Sequence, residues 1–245
     1  MKLSVIIPAF NEENCLEATL DSLYSHLNKH EIDYDIIVVN DGSTDKSELI
    51  LKKAQKKISN LKYYNNAYPR GFGYAVRYGL EHFTGDCVVI MMADLSDDPE
   101  DIIRFYDKMK EQQYDCIFGH RFTKGGKVTD YPIPKLMLNR FANSFVRLLF
   151  NFKYGDITNA FKMYKKETID GLKPFLSTQF NLTLELPLKA IIRGYTYTVL
   201  PNSWTNRKFG ISKFKIKELG SKYFLILIYC LIEKYFSYLS KKKKI

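Results

Sequence analysis

Three short polar segments of this 245-residue chain each follow an apolar run and carry acidic or amide side chains. They cover residues 8–12, 40–43 and 93–98. Carboxylates accept hydrogen bonds from ribose hydroxyls and base N–H groups, and they are also ligands for Mg²⁺ and Mn²⁺. Acidic side chains grouped in this way suit a polar ligand that carries a ribose and a metal-bound phosphate.

Each of these segments lies at the end of a predicted β-strand. Short β-rich runs alternate with helical patterns in the first half of the chain, and strands are predicted at residues 3–7, 35–39, 61–64, 87–92 and 116–118. This alternation is typical of an α/β protein with a doubly wound, mostly parallel sheet. Because ligands bind at the carboxyl ends of the strands in such sheets, the three segments are expected to converge at one edge.

The other elements are predicted from periodicity and apolar runs. Helices are expected at residues 12–27, from about residue 45, after Gly73, at residues 135–150 and around Glu185, with a further strand at 196–200. No internal repeat or Gly/Pro-rich linker divides the chain.

The net charge of +10 is concentrated in the last fifth of the chain. Residues 201–245 contain eleven Lys or Arg and two Glu, whereas residues 1–200 contain 26 basic and 25 acidic side chains. A DNA- or RNA-binding domain carries its excess positive charge on the folded surface, so nucleic acid is not an expected partner. The four cysteines lack metal-site spacing, and the apolar surroundings of Cys87 and Cys116 favour buried thiols in a reducing compartment.

The segment Arg70–Gly73 carries two of the three glycines of a dinucleotide-binding fingerprint. The third glycine and the acidic residue that follows a second strand are missing, so a nicotinamide cofactor is not expected. Gly71 and Gly73 instead allow a loop and a helix N-terminus to approach a nucleotide closely.

Seven blocks of the sequence, taken in order, resemble glycosyltransferase family 2 and, within it, the dolichol-phosphate mannose synthase-like branch. The blocks are Val5–Glu12, Val38–Asp45, Arg70–Ala75, Met92–Leu95, His120–Gly126, Asp156–Thr158 and Arg207–Lys213. The resemblance extends from Leu3 to about Lys213. It implies the GT-A fold, which has a Rossmann-like nucleotide-binding half, and inverting transfer of a sugar from a GDP- or UDP-linked donor.

The resemblance also implies a set of donor-binding residues. They are Pro8, Phe10, Glu12, Asn40, Asp41, Gly71, Gly73, Ala93, Asp94, Arg207, Ser212 and Lys213. Glu12 and Asp41 are expected to accept hydrogen bonds from the nucleoside, and Asn40 replaces the first Asp of the family. The segment 207–213 is expected to close over the donor diphosphate. The alternatives are an ordinary turn at 41–43, a first-turn helix acid at Glu12 and a charged surface loop at 207–213.

The segment Met92–Asp94 stands where the family has the paired acids that hold a divalent cation, Mg²⁺ or Mn²⁺. The thioether of Met92 is a poor ligand for these cations, which leaves Asp94 as the metal ligand and Asp97 as the candidate for a second carboxylate. Asp98 precedes Pro99 and is expected to cap a helix instead. Through the cation, Asp94 is expected to take part in catalysis.

Arg121 matches an arginine that grips the acceptor phosphate in the family. Lys135 and Asn139 stand where the branch has Arg and Ser, and Arg140 is expected to compensate for the weaker geometry of a lysine. The alternative for Lys135 and Arg140 is a solvated helix face. Arg121 and Arg207 are accordingly expected to be catalytic.

Two acceptors are open. A polyprenyl phosphate is already ionised and needs only to be positioned by cations, whereas a glycan hydroxyl needs a general base. Glu185 is the candidate base, and a structural carboxylate is the alternative for it, as for Asp156. A nucleotide-sugar-binding protein without turnover is a third possibility, since Met92 and Asn40 depart from the family pattern.

The end of the chain is expected to bind a membrane surface. Residues 223–232 form an apolar stretch of about ten residues, too short to span a bilayer. Followed by Lys241–Lys244, this stretch is typical of an interfacial helix attracted to anionic lipid. A core helix or a contact between copies in a homo-oligomer is the alternative. The expected organisation is a GT-A domain at 1–217 and an apolar helix with a basic tail at 218–245, located in the cytoplasm at the membrane face.

Overall fold

A computed structural model describes residues 1–207 and 216–242 of the chain. Within these ranges the strands are β1 Leu3–Ala9, β2 Tyr34–Asn40, β3 Leu61–Asn65, β4 Cys87–Ile90, β5 Cys116–His120, β6 Lys127–Thr129, β7 Lys162–Lys165, β8 Tyr197–Pro201 and β9 Ser203–Thr205. The helices are α1 Leu16–Lys29, α2 Ser47–Lys57, α3 Phe72–His82, α4 Pro99–Gln112, α5 Ile133–Phe150, α6 Lys166–Gly171, α7 Leu182–Arg193 and α8 Ile216–Lys242.

Seven of the described strands form one sheet in the order β3-β2-β1-β4-β7-β5-β8. All neighbours are parallel except β7, which runs antiparallel to both β4 and β5. Strands β1 and β2 are buried along their whole length because helices cover both faces of the sheet. The predicted α/β class with a mostly parallel, doubly wound sheet is confirmed.

The strand order changes direction at β1, since β2 and β3 lie on one side of it and β4 on the other. A crevice opens at such a switch point, at the carboxyl ends of the two central strands. The segments after β1, β2 and β4 are the three polar segments of the sequence, so the topology brings them to one place.

Several elements differ from the sequence prediction. The helix expected from residue 12 begins at Leu16, because Asn11 adopts a left-handed conformation (φ 52°) and residues 12–15 form a turn. The short strands β6 and β9, which pair in parallel, and the antiparallel β7 were not predicted. Three- and four-residue strands carry too little periodicity to be recognised in a sequence.

Helix α8 is 27 residues long and packs against α7. The boundary predicted after residue 217 falls within the first turn of this helix, which begins at Ile216, and the division into 1–217 and 218–245 stays a prediction. Among the helices that the structure describes, none combines the length and the apolar character needed to cross a bilayer. All four cysteines are buried free thiols.

The cap of α4 gives a test of local structure. The Asp98 carboxylate accepts a hydrogen bond from Glu100 N at 3.0 Å, and Pro99 occupies the first helical turn. Asp98→Ala is expected to lower the free energy of unfolding by about 1 kcal/mol. Asp107→Ala, an exposed position of the same helix, should change it by less than about 0.5 kcal/mol. Urea denaturation measures both, and equal losses would contradict the assignment of Asp98 as the cap.

Candidate active site

Two of the three polar segments at the switch point are joined to each other by hydrogen bonds, and the third is bonded to β9. Asp41 N donates to Ala9 O at 2.8 Å, and Asn11 N donates to Ser43 Oγ at 3.0 Å. The segment after β4 is tied to β9 by a bond from Thr205 N to Ser96 O at 2.9 Å. The predicted convergence of these segments at one edge of the sheet is therefore present, and β9 lies beside them.

Asp41 lies at the centre of the part of the site predicted to bind the donor, the donor half. Its carboxylate accepts hydrogen bonds from Gly71 N at 2.9 Å and from Asn66 Nδ2 at 2.7 Å. These two bonds hold the Asp41 carboxylate in place at the carboxyl end of β2. Asn66 was not singled out in the sequence, and an isolated asparagine in a loop offers no pattern by which to find it.

Asn40 shapes the turn before Asp41. Its side-chain Nδ2 donates to Asn65 Oδ1 at 2.8 Å, and its side-chain Oδ1 accepts from Ser43 N at 3.1 Å. Both ends of the side chain thus act within the protein, which explains how an amide serves where the family has an acid.

Arg70 is a further residue at this edge. Its guanidinium lies 4.4 Å from the centre of the Phe10 ring and donates to Gly42 O at 3.2 Å. The Arg70 guanidinium thus lies over the Phe10 ring and is bonded to the turn that contains Asp41. The sequence motif pointed to Gly71 and Gly73 and not to the arginine that precedes them.

Arg207 connects the acids of two strands. Its Nη2 donates to Asp94 Oδ2 at 2.5 Å and lies 3.5 Å from Glu12 Oε1. Asp94 also accepts a hydrogen bond from Ser96 N at 3.1 Å. Three residues assigned to the donor site from the sequence therefore form one charged cluster. In it the Arg207 guanidinium lies between the carboxylates of Glu12, which follows β1, and Asp94, which follows β4.

Asp97 lies beneath this cluster. Its Oδ2 accepts a hydrogen bond from Met92 N at 2.9 Å, and burial, assisted by the charge of Asp94, raises its pKa to about 7. Its role as a second metal ligand stays a prediction. In the described part of the chain, no group of three or more His, Cys, Asp or Glu side chains could enclose a metal ion.

A single carboxylate is nonetheless compatible with one kind of metal site. Mg²⁺ is commonly held by one or two protein carboxylates together with the phosphates of a substrate. Asp94, at the carboxyl end of β4, fits a cation that arrives with a diphosphate, and it does not fit an ion held by the protein alone.

The part of the site predicted to bind the acceptor, the acceptor half, contains Arg121 at the end of β5. Its Nε and Nη2 donate to the two oxygens of Asp156, at 2.9 and 2.8 Å, and both side chains are buried. Burial opposes the charge of Arg121, but Asp156 holds the pKa of Arg121 above its ordinary value. Arg121 in turn holds the pKa of Asp156 below its ordinary value, against the effect of burial.

Lys135 extends from α5 toward the same place. Its ammonium lies 5.7 Å from the centre of the Tyr131 ring and 5.8 Å from that of Trp204. Burial lowers its pKa, and the charges of Arg121 and Arg207 lower it further. Lys135 therefore lies within electrostatic range of both arginines, while the charge of Asp94 acts on it in the opposite sense.

Asn139 and Arg140 lie behind Lys135. Asn139 Nδ2 donates to Thr158 Oγ1 at 3.0 Å, and Arg140 Nη1 donates to Gly155 O at 3.1 Å. Both side chains hold the 155–158 turn, so the structure gives them a supporting position while their predicted contact with phosphate stays a prediction.

Comparison with known proteins agrees with this geometry. A sequence profile described as glycosyl transferase family 2 matches residues 4–172. The chain belongs to glycosyltransferase family 2. It is accordingly a glycosyltransferase, and the resemblance noted in its sequence motifs is confirmed.

Two relatives are similar over most of this glycosyltransferase. A dolichol-phosphate mannosyltransferase of Pyrococcus furiosus is 31% identical over 225 residues, covering 89% of this chain and 61% of the relative. A polyprenol monophosphomannose synthase of Mycolicibacterium smegmatis is 28% identical over 237 residues, covering 88% of this chain and 86% of the relative. The chain thus spans about three fifths of the Pyrococcus enzyme.

Solved structures support the fold. Glucosyl-3-phosphoglycerate synthase from Mycobacterium tuberculosis, crystallised with Mn²⁺, UDP and phosphoglyceric acid, superposes with a TM-score of 0.71 at 17% identity. The match covers 95% of this chain and 78% of that one. At this identity the likeness shows the GT-A fold alone.

Two predictions of site residues need correction. Glu185 is completely buried, and its oxygens accept hydrogen bonds from Leu176 N, Ser177 N and Lys189 Nζ. It therefore cannot take a proton from an acceptor hydroxyl, and the alternative of a structural carboxylate is the one observed.

Ser212 and Lys213, which were predicted to bind the donor, lie outside the described residues.

The second correction concerns Gly71 and Gly73. A Cβ added to either would lie within 2.7 Å of Thr178 or Gln179 atoms. These glycines therefore make room for the loop at residues 178–179, whereas the sequence suggested that they make room for a nucleotide.

The ion pair of Arg121 and Asp156 yields a prediction for stability. Asp156→Asn leaves a buried guanidinium without its anion and is expected to lower the free energy of unfolding by about 3–5 kcal/mol. Asp170→Asn makes the same change in an exposed pair with Lys173 and should cost at most about 1 kcal/mol. Denaturation at neutral pH measures both losses.

The pH dependence of that loss has a definite sign. Because the pKa of folded Asp156 is below its ordinary value of 3.8, the contribution of the pair is present above 3.8 and disappears as the pH falls through the lower folded value. The difference between wild type and Asp156→Asn should therefore be constant near neutrality and shrink only in strong acid. A difference that shrinks between pH 8 and 5 would contradict this account.

Proposed function

We propose that this glycosyltransferase transfers a sugar from a nucleoside diphosphate donor to a polyprenyl phosphate at the cytoplasmic face of a membrane. The observation that carries the proposal is the orientation of α5. The names of the two curated relatives, which refer to dolichol phosphate and polyprenol, support the same acceptor.

Helix α5 differs from an ordinary surface helix in that most of its apolar side chains are exposed and several of its polar side chains face the protein. A surface helix normally faces its apolar side to the core and its polar side to water. Here Lys135, Asn139, Arg140 and Asn143 face the protein. Of the apolar side chains, Val146 and Phe150 are buried near the end of the helix, and most of the others are exposed. The exposed apolar side chains are Ile133, Met137, Leu138, Phe141, Phe145, Leu148 and Leu149.

This exposed stripe runs the length of the helix. Its members recur at intervals of three to four residues, and Phe141 and Leu148 are 71% and 83% exposed. A contiguous apolar surface of this kind marks a contact with lipid or protein. Because the polar side of the same helix bears Lys135, a phosphate beside Lys135 and a lipid tail along the apolar stripe could belong to one molecule.

The cations near Lys135 are suited to a phosphate acceptor. An ionised phosphate is itself a nucleophile, so it needs to be held in position rather than deprotonated. Lys135 and Arg121 would hold its charge through charge-assisted hydrogen bonds. The buried and occupied carboxylate of Glu185 removes the base that had been considered for a hydroxyl acceptor.

The donor would occupy the other half of the site. Glu12 and Asp41 would accept hydrogen bonds from the nucleoside, beside the surface formed by Phe10 and Arg70. Asp94 would hold Mg²⁺ or Mn²⁺ together with the diphosphate, and the cation would neutralise the leaving group. Arg207, already placed between the acids, would donate to the same phosphates. Whether the donor is GDP- or UDP-linked is decided by a binding screen with both nucleotides.

Helix α8 would enlarge the membrane contact. It exposes Phe224, Leu225, Ile228, Ile232, Tyr235, Phe236 and Tyr238. Apolar side chains followed by the lysines at 241–244 would combine burial in the interface with attraction to anionic lipid. A homo-oligomer that covers the same surfaces is the alternative outcome of the vesicle experiment below.

The central experiment is a transfer assay. Vesicles containing a polyprenyl phosphate are incubated with a labelled nucleotide sugar, Mg²⁺ or Mn²⁺ and the protein, and label is expected in the lipid extract. Asp94→Asn should lower the rate by about 100-fold or more, because it removes the carboxylate that positions the cation. Asp98→Asn, which keeps the helix cap, should leave the rate unchanged.

Other outcomes of this assay would contradict the proposal. Label found only in oligosaccharide would indicate a glycan hydroxyl acceptor. Binding of nucleotide without transfer from any donor would indicate a binding protein that has lost turnover.

The membrane contact has its own test. The double variant Phe141→Ser, Leu148→Ser is expected to lower co-sedimentation with anionic vesicles by about tenfold or more, since two large apolar side chains no longer enter the lipid. Leu49→Ser, an exposed leucine on α2, should have no effect. Unchanged vesicle binding, together with a smaller particle in gel filtration, would show that α5 contacts another copy of the chain instead.

A further inference from the structure

An ion pair in the interior of the molecule connects to the donor half of the site. Glu185 and Lys189, one turn apart on α7, are both completely buried, and Lys189 Nζ lies 2.5 Å from Glu185 Oε1. A buried ion pair is weak evidence for stability, because apolar residues in its place are often as stable. The transfer reaction proposed above uses neither residue, so the contacts of the pair are of interest.

Both charges are directed at the backbone of the segment before α7. Glu185 accepts hydrogen bonds from Leu176 N at 2.9 Å and from Ser177 N at 2.7 Å. Lys189 Nζ also donates to Pro174 O at 2.5 Å. The pair therefore fixes three successive parts of one loop, with charge-assisted hydrogen bonds that are stronger than neutral ones.

The continuation of this loop is packed on the start of α3. Tyr74 N donates to Thr178 O at 3.3 Å, and the rings of Phe72 and Phe180 stack with their centres 4.3 Å apart. Gly73 leaves no room for a side chain, since an added Cβ would lie 2.6 Å from Thr178 C. A displacement of the loop would therefore displace the first turn of α3.

The start of α3 is bonded to Asp41. Gly71, directly before the helix, donates its N–H to Asp41 Oδ2 at 2.9 Å. We propose that Glu185 is a positioning residue for the donor site, which acts through the 176–180 loop and Gly71 to orient the Asp41 carboxylate. This inference rests on the proposed function only in taking Asp41 as a ligand of the nucleoside.

The test measures nucleotide affinity and amide exchange in the same variants. Glu185→Gln retains the shape of the side chain, but it is neutral and replaces one acceptor oxygen with an NH₂ donor. The charge-assisted bonds from Leu176 N, Ser177 N and Lys189 Nζ cannot then all be kept. The Kd of the nucleoside diphosphate that binds wild type, UDP or GDP, should rise about tenfold, as expected when one charge-assisted hydrogen bond in the chain of contacts is lost. The KM of the donor should rise accordingly, while kcat stays within about twofold of wild type.

Amide hydrogen exchange separates positioning from a general loss of stability. Glu185→Gln should speed exchange at Leu176, Ser177, Gly71 and Tyr74 and leave the amides of α1 unchanged. Leu27→Ala, a buried change on α1, serves as the control that destabilises the fold without touching this loop. It should leave the nucleotide Kd unchanged.

A second variant avoids the buried pair. Gly73→Ala pushes the loop away from α3 and should reproduce the loss of nucleotide affinity, whereas Gly220→Ala, in open space on α8, should not. If the nucleotide Kd of both Glu185→Gln and Gly73→Ala equals that of the wild type, the inference is overturned and the proposed function stays intact. Wild type that binds neither nucleotide would overturn the proposed function itself.

Discussion

A carboxylate that is completely buried, as Asp156 is, stays charged only when a cation and hydrogen-bond donors surround it. Arg121 supplies both, through two side-chain bonds and its own backbone N–H, which donates to Asp156 Oδ2 at 3.0 Å. The pair joins the end of β5 to the 155–158 turn, and that turn is the point at which Arg140 and Asn139 attach α5. The position of the whole acceptor half therefore depends on one charge pair.

The orientation of α5 follows from the same attachment. Asn143, which is buried, accepts a hydrogen bond from Thr158 N at 3.1 Å and donates to Thr158 Oγ1, so the polar side of the helix is bound to the turn. Most of its apolar side chains, apart from the buried Val146 and Phe150, therefore face outward. One helix thereby offers a cation to a phosphate and an apolar stripe to a lipid, and this combination favours a lipid phosphate acceptor over a glycan hydroxyl.

Much of the fold and part of the site followed from the sequence. Strand and helix patterns predicted the doubly wound sheet, because apolar runs of five to seven residues are strong local signals, and the topology rule then placed Glu12, Asp41 and Asp94 at one edge. The loop packed against Gly73 could not be predicted, because this contact joins segments about 100 residues apart. The burial of Glu185 was not apparent either, because a helical pattern does not show that the acid is paired with Lys189 and bonded to the preceding loop. A periodic pattern likewise identified α5 but did not show which side faces the core.

The most direct test of this account compares two acceptors that differ only in the headgroup. Polyprenyl phosphate and the corresponding free polyprenol, in the same vesicles and with the same labelled donor, present identical tails to α5. The account predicts transfer to the phosphate and none above background to the alcohol, because Arg121 and Lys135 hold a charge that the alcohol lacks. Equal transfer to both, or transfer to the alcohol alone, would contradict it.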